Sequence, residues 1–246
     1  MSENTAMVPV NLGQLPSTQI GGDDLYNELA KGGDYLGRMQ LYTKGKAVNA
    51  ELIAPGHYGI PESDTEVVDL GKSVDLIPLA RRPKAIDMSD NDAIIISYDM
   101  ASDEFKRIAD KSAESDSHCQ YGPSFLVYER VQGRFLEFFC GNKSNRIEAK
   151  KIFPFLPLSQ ADIDAKAAAG NDVSGLKPHG PIPVTLKVKL AENKRGQWHV
   201  PVVVKCSVSF DKVPSIDVIV KEIQKFLTVK DNGVERVEET APARAR

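Results

Sequence analysis

The chain has 246 residues, 41% hydrophobic and 26% charged, which suits a globular protein with a sizeable core and excludes a chain too polar to fold. Net charge is −3 at neutral pH, so the molecule is not a polycation, and an anionic partner must be met by a local patch. No apolar run approaches the ~20 residues that cross a bilayer. The start, MSENTAMVPVNLGQLP, lacks the basic and apolar pattern of a secretory signal, and Cys119, Cys140 and Cys206 are too few and too widely spaced for a disulfide framework. A reducing, intracellular compartment without membrane contact is expected.

Residues 1 to 33 read as a flexible arm, acidic and without Lys or Arg up to Ala30, with a short helical stretch between Asp23 and Ala30. A strand is predicted from Tyr35 to Thr43, followed by a turn at Lys44-Gly45-Lys46. Ala54–Ser63 reads as a loop punctuated by Pro and Gly. Glu66–Leu70 and Ser73–Leu79 read as a hairpin about Gly71-Lys72, and Ala93–Tyr98 as a buried strand. Ser102 is placed to cap a helix whose apolar residues are Phe105, Ile108 and Ala109. The clearest hairpin pairs Ser124–Arg130 with Arg134–Phe139 around Val131-Gln132-Gly133, and a short helix is predicted around Asn145–Lys151. Ser159 opens a helix that stops at Gly170, and 171–183 reads as a loop.

The last β unit is the most regular. Val184, Leu186, Val188 and Leu190 alternate with Thr185, Lys187 and Lys189. On the returning strand Trp198, Val200, Val202 and Val204 alternate with His199, Val203 and Lys205, so Lys187, Lys189, His199 and Lys205 are expected on one wet face. Lys194 and Arg195 sit at the tip. A helix over Ser215–Leu227 closes the fold, and the polar end beyond Lys230 reads as disordered. Many short strands, turns and a few helices predict a β-rich α+β fold: an OB-like Greek-key barrel elaborated with peripheral helices and a long β-hairpin. The expected organisation is an arm over 1–33, one barrel-type domain with insertions over 34–228, and a tail over 229–246.

Tests for chemistry return little. Gly71-Lys72-Ser73 resembles the end of a phosphate loop, but Glu66 stands where the first glycine is required. His57, His118, His179 and His199 are isolated, and no C-x-x-C pair offers zinc ligands. No Gly-x-Ser-x-Gly elbow is present. Asp87, Asp90 and Asp92 form an acidic cluster of the kind a metal-dependent nuclease uses, although a solvated acidic loop has the same appearance. The expectation is a binding protein, not an enzyme, with no cofactor and no bound metal.

Binding to single-stranded nucleic acid needs cations for phosphates and flat rings for bases. Candidates occur in four groups. Arg38, Tyr42, Lys44 and Lys46 belong to the first strand and its turn. Arg81, Arg82 and Lys84 follow a predicted strand directly, and three adjacent cations imply an anion nearby. Tyr128, Arg130, Arg134 and Phe135 lie on the central hairpin, with Lys143 and Arg146 after it at helical spacing from Lys150. The final hairpin supplies Lys187, Lys189, Lys194, Arg195, His199 and Lys205. Phe135, Phe138 and Phe139 are better read as core than as stacking platforms, as is Trp198, which shares a face with three valines, whereas Lys187 and Lys189 are equally well read as solubilising charge that protects sheet edges.

The strings LGRMQLYTKG, GHYGIP, VDLIPLARRPKAIDM, YGPSFLVYERVQGRFLEFFCGNKSNRIEAKK and WHVPVVVKCS resemble a group of bacteriophage-encoded single-stranded-DNA-binding proteins, over about Tyr35 to Leu227. The resemblance implies an OB fold and a viral protein that coats exposed DNA in the host cytoplasm during replication or recombination. Self-association and contact with replication or recombination proteins would accompany that role. The end, VEETAPARAR, departs from the acidic tail such proteins commonly carry. The alternative expectation is a phage capsid or tail component that self-assembles through its N-terminal arm.

Overall fold

A computed structural model describes residues 36–63, 65–89, 94–114, 117–193, 196–208, 210 and 213–228. The arm with its predicted helix, the C-terminal tail, Asp90, Asp92, Lys194 and Arg195 lie outside the described residues. The strands are β1 (Gly37–Tyr42), β2 (His57–Ser63), β3 (Glu66–Gly71), β4 (Ser73–Asp87), β5 (Ile95–Ser97), β6 (Cys119–Glu129), β7 (Arg134–Phe139), β8 (Val184–Asn193) and β9 (Gly196–Lys205). The helices are α1 (Lys46–Asn49), α2 (Asp103–Lys111), α3 (Lys143–Ala149), α4 (Gln160–Ala168) and α5 (Ile216–Thr228), with a 3-10 turn over Lys150–Phe155 after α3.

One mixed sheet runs β3-β2-β1-β7-β6-β4-β8-β9, with β5 paired to β4. Only β1 and β7 run parallel; the other pairs are antiparallel. The sheet curls into an open half-barrel decorated by helices. Its two ends approach each other: the Tyr58 hydroxyl of β2 donates to the Lys187 carbonyl of β8 at 3.2 Å.

Alternation on β6 sends its side chains to two cores. Phe125 and Val127 face the hollow of the half-barrel with Met39, Ile60, Leu136, Phe138 and Leu186, closed by Ala149 and Ile152 after β7. Leu126 and Tyr128 join Ile77, Leu79 and Phe226 in a second cluster under α5. Each fully buried aliphatic or Phe side chain contributes about 1.5–3 kcal/mol of burial, so a strand with both faces covered cannot slip register. A third cluster, around Ala85 and Cys119, takes Phe105 and Ile108 from α2.

Local chemistry sets the ends of the helices. The Ser102 hydroxyl accepts from the Phe105 amide at 3.1 Å. Ser159 and Asp162 form a reciprocal capping box, and Gly170 follows α4 at φ +78°. At the β6–β7 turn, the buried Glu129 carboxylate accepts the Val131 and Gln132 amides at 2.7 and 2.6 Å.

Three expectations are corrected. His57–Ser63 is a strand, not a loop. Gly59 marks a close approach, where a Cβ would lie 2.5 Å from Ile53 Cδ1. The chain turns at Gly71, φ +78°, but β3 pairs with β2 while β4 pairs with β5, β6 and β8, so Gly71-Lys72 joins two strands that do not form a hairpin. Finally, β4 does not stop at Leu79. It continues through Arg81, Arg82, Pro83 and Lys84 to Asp87, with a register shift between Pro78 and Ala80.

The two flanks of β4 are unequal. β6 covers one from Leu76 to Asp87, whereas the other meets β8 over Ser73–Leu76 and β5 over Ala85–Asp87. From Ile77 to Lys84 that flank has no strand partner among the described residues. Pro83 lacks an amide hydrogen, and an unpaired flank is where a strand tolerates proline.

Candidate nucleic-acid interface

The predicted basic residues divide into those that the fold encloses and those left on the surface. Arg82 and Lys84 belong to the first class. Lys84 is 1% exposed and its Nζ lies 2.7 Å from Glu137 Oε2. Arg82 Nη2 donates to Glu137 Oε1 at 3.2 Å, Arg82 Nη1 donates to the Phe226 carbonyl at 2.6 Å, and the guanidinium stacks over Tyr98. The Ser124 hydroxyl donates to the same carboxylate at 2.7 Å, and Arg38 Nε stands 3.9 Å away. The anion implied by the three adjacent cations is therefore internal.

Burial alone would raise the Glu137 carboxyl, but the charges of Lys84 and Arg82 and the donated hydrogen bonds outweigh it and hold its pKa at about 2. Burial, helped by the nearby Arg38 and Arg82 charges, leaves the Lys84 ammonium below its ordinary pKa, and the Glu137 carboxylate offsets only part of that. We take the carboxylate as ionised, because cations and donors surround it.

Other candidates are also committed to the fold. Tyr42 and Tyr128 are buried, and Phe135 packs on Tyr128 with ring centroids 5.3 Å apart. Arg130 pairs with Asp75 at 3.4 Å, and Arg134 pairs with Glu62. Arg146, expected to share a face with Lys143 and Lys150, instead donates to the Tyr121 and Gly141 carbonyls at 2.8 and 2.7 Å and stacks on Tyr121. Asp87, from the acidic cluster, accepts from Arg107 at 2.8 Å and from Ser89. Burial would raise its pKa, but these hydrogen bonds hold it below the carboxylate range. Among the described residues, no group of three or more His, Cys, Asp or Glu is placed to hold a metal. Burial pushes the Cys140 thiol well up, leaving it protonated at neutral pH and a poor nucleophile.

The exposed candidates are Lys44, Arg81, Lys143, Lys187, Lys189 and Lys205. Arg81 differs from its neighbours Arg82 and Lys84: it faces solvent with its guanidinium 4.2 Å from the Phe153 ring centre. The side chain of Lys46 lies outside what the structure describes.

The β8–β9 ribbon corrects the expected single wet face. Leu186 pairs with Val203, Lys187 with Val202, and Leu190 with His199. Directly opposed residues share a face. Lys187 and Lys189 thus lie with Trp198, Val200 and Val202, whereas His199 and Lys205 lie on the Val184–Leu186 face. His199 packs on Gly56, where a Cβ would meet its ring at 2.7 Å. The Lys187/Lys189 face carries the half-buried Trp198, whose enclosed indole nitrogen makes no hydrogen bond among the described residues. α3 packs against β9, so exposed Lys143, and Lys150 just beyond α3, belong to a neighbouring element.

Sequence reasoning missed Glu137. An acid inside the apolar strand RFLEFF was the available signal, since a carboxylate among buried neighbours requires a cation. Among the described residues no helix is long and apolar enough to cross a membrane. No family model, curated protein or solved structure matches this chain.

Proposed function

We propose that the chain is a single-stranded-nucleic-acid-binding protein and that its binding face is the β8–β9 ribbon. Reading the curled sheet as an OB-like Greek-key barrel belongs to the same proposal, as does a role in phage DNA replication or recombination, which rests on the sequence resemblance. The observation that carries the reading is the pairing of β8 with β9, which sets two exposed lysines, Lys187 and Lys189, on one face with the half-buried Trp198. Lysines spaced along a ribbon track phosphates without reading sequence, and an indole offers a stacking surface that any base accepts.

The test is fluorescence anisotropy with a labelled oligo-dT over a salt series, with duplex DNA as control and emission of the chain's single tryptophan followed in parallel. Tight, steeply salt-dependent binding to the single strand with quenching of Trp198 supports the reading. No binding at low salt overturns it, and binding without a change in Trp198 emission moves the interface away from this ribbon.

A further inference from the structure

Beside the unpaired flank of β4 lies a hollow of about 720 Å³, a size at which small ligands are commonly held. Its walls are apolar: Leu79 of β4, Phe153, Leu156 and Leu158 beyond α3, and Ile223 and Leu227 of α5. All but Leu79 are only half-buried, so apolar surface faces water there.

The titratable side chains among the lining residues are not equally free. Asp162 is committed to its helix: the Ser159 amide and hydroxyl both donate to its Oδ2, at 3.1 and 2.6 Å. His179 donates from Nδ1 to the Gly180 carbonyl at 2.7 Å. Arg81 and Lys166 pair with no carboxylate among the described residues, and the Arg81 guanidinium rests on the Phe153 ring beside the hollow. The backbone narrows the choice of occupant further. Pro78 and Pro83 stand on either side of Leu79–Arg81 and carry no N–H. The flank is therefore a poor template for an added strand and offers few of the amide donors on which phosphate sites rely.

We propose that the hollow binds an amphiphilic carboxylate, its apolar chain lying against Leu156, Ile223 and Leu227 and its carboxylate held by Arg81 and Lys166. A guanidinium presents two parallel N–H donors that match the two oxygens of a carboxylate. Beside an apolar wall that pairing meets less competition from water than it would on open surface. The chain supplies affinity, and the cations select the sign of the head group.

Titration of the 15N-labelled full chain with decanoate, followed by NMR of its backbone amides, tests this. Saturable shifts are expected at Leu79, Ala80, Arg81, Phe153, Leu156 and Ile223, with one site per chain. Octanoate, shorter by two methylenes, should bind about fifteenfold more weakly, about fourfold for each. Decylammonium, with the same chain and the opposite charge, should bind at least about tenfold more weakly. Arg81→Glu/Lys166→Glu should lose about the same factor for decanoate, with its other amide resonances in place. Non-saturating shifts, shifts confined to other regions, or equal affinity for decanoate and decylammonium overturn the proposal. Tighter binding of decyl phosphate or of trileucine also overturns it, since the hollow would then suit a phosphate ester or a protein terminus. No nucleic acid is present, so failure here leaves the reading of the β8–β9 ribbon untouched.

Discussion

The Arg82–Lys84–Glu137 cluster and the β8–β9 ribbon are both basic, yet they differ in what their charge is for. In the first, each cation is enclosed and faces one carboxylate at 2.7–3.2 Å. In the second, Lys187 and Lys189 stand in solvent beside a half-buried indole. A buried cation without its partner carries a desolvation cost of several kcal/mol, while an exposed lysine loses almost nothing by waiting for a ligand. Density of cations in a sequence is thus a poor guide to binding. The informative quantity is how much of that charge the fold has already neutralised.

The two regions should respond most differently to a change at Glu137. Glu137→Gln leaves Arg82 and Lys84 enclosed without a counter-charge and is expected to destabilise the fold by about 3–5 kcal/mol in urea unfolding. A loss below about 1 kcal/mol would show that water reaches the cluster. Nucleic-acid affinity of the folded fraction should not change.

On the ribbon, Lys187→Glu/Lys189→Glu is expected to leave stability within about 0.5 kcal/mol. It should lower the slope of log affinity against log salt by about 1.4, close to 0.7 for each phosphate no longer neutralised. An unaltered slope removes these lysines from the interface. Trp198→Ala should weaken binding by about 1–3 kcal/mol if one base stacks there, with Trp198→Phe retaining most of the affinity. Equal losses in the two would point to folding rather than stacking.

Acid should act on the enclosed cluster and spare the ribbon lysines. Glu137 titrates ordinarily near 4.5 and in the fold at about 2, so its contribution is complete above about 4.5 and is lost as pH falls towards 2. Asp87, also depressed, acts in the same direction. Unfolding free energy measured from pH 6 down to pH 2 should therefore fall, and the decline should be shallower in Glu137→Gln. The smallest effect expected is at Arg81, where Arg81→Ala removes an exposed stack on Phe153 worth about 0.5–1 kcal/mol in thermal unfolding.

Local signals were legible wherever a side chain acts on its own backbone. Ser102 and Ser159 cap the helices that their positions predict, and the Val131-Gln132-Gly133 turn joins β6 to β7. β2 escaped because Gly59 and Pro61 are turn residues by composition. Here Gly59 is required by the Ile53 side chain packed against it. The end of β4 escaped for a related reason: Arg82 and Lys84 read as surface until Glu137 is placed against them. The two basic groups looked alike in the chain because neither contains its own counter-charge.

Periodicity and capping act within a few residues, so the β-rich class, most helix limits and the existence of the β8–β9 ribbon were already decided by the order of amino acids. Which cations face solvent was not. β9 carries valines at 200, 202, 203 and 204, so both of its faces are apolar and alternation alone assigns neither. The pairing of Asn193 with Gly196 decides that Trp198 shares a face with Lys187 and Lys189. Glu137 meets Lys84 across 53 residues of chain only because β6 holds β4 and β7 on its two flanks. Burial and register are properties of neighbours distant in the chain, and only tertiary structure supplies those neighbours.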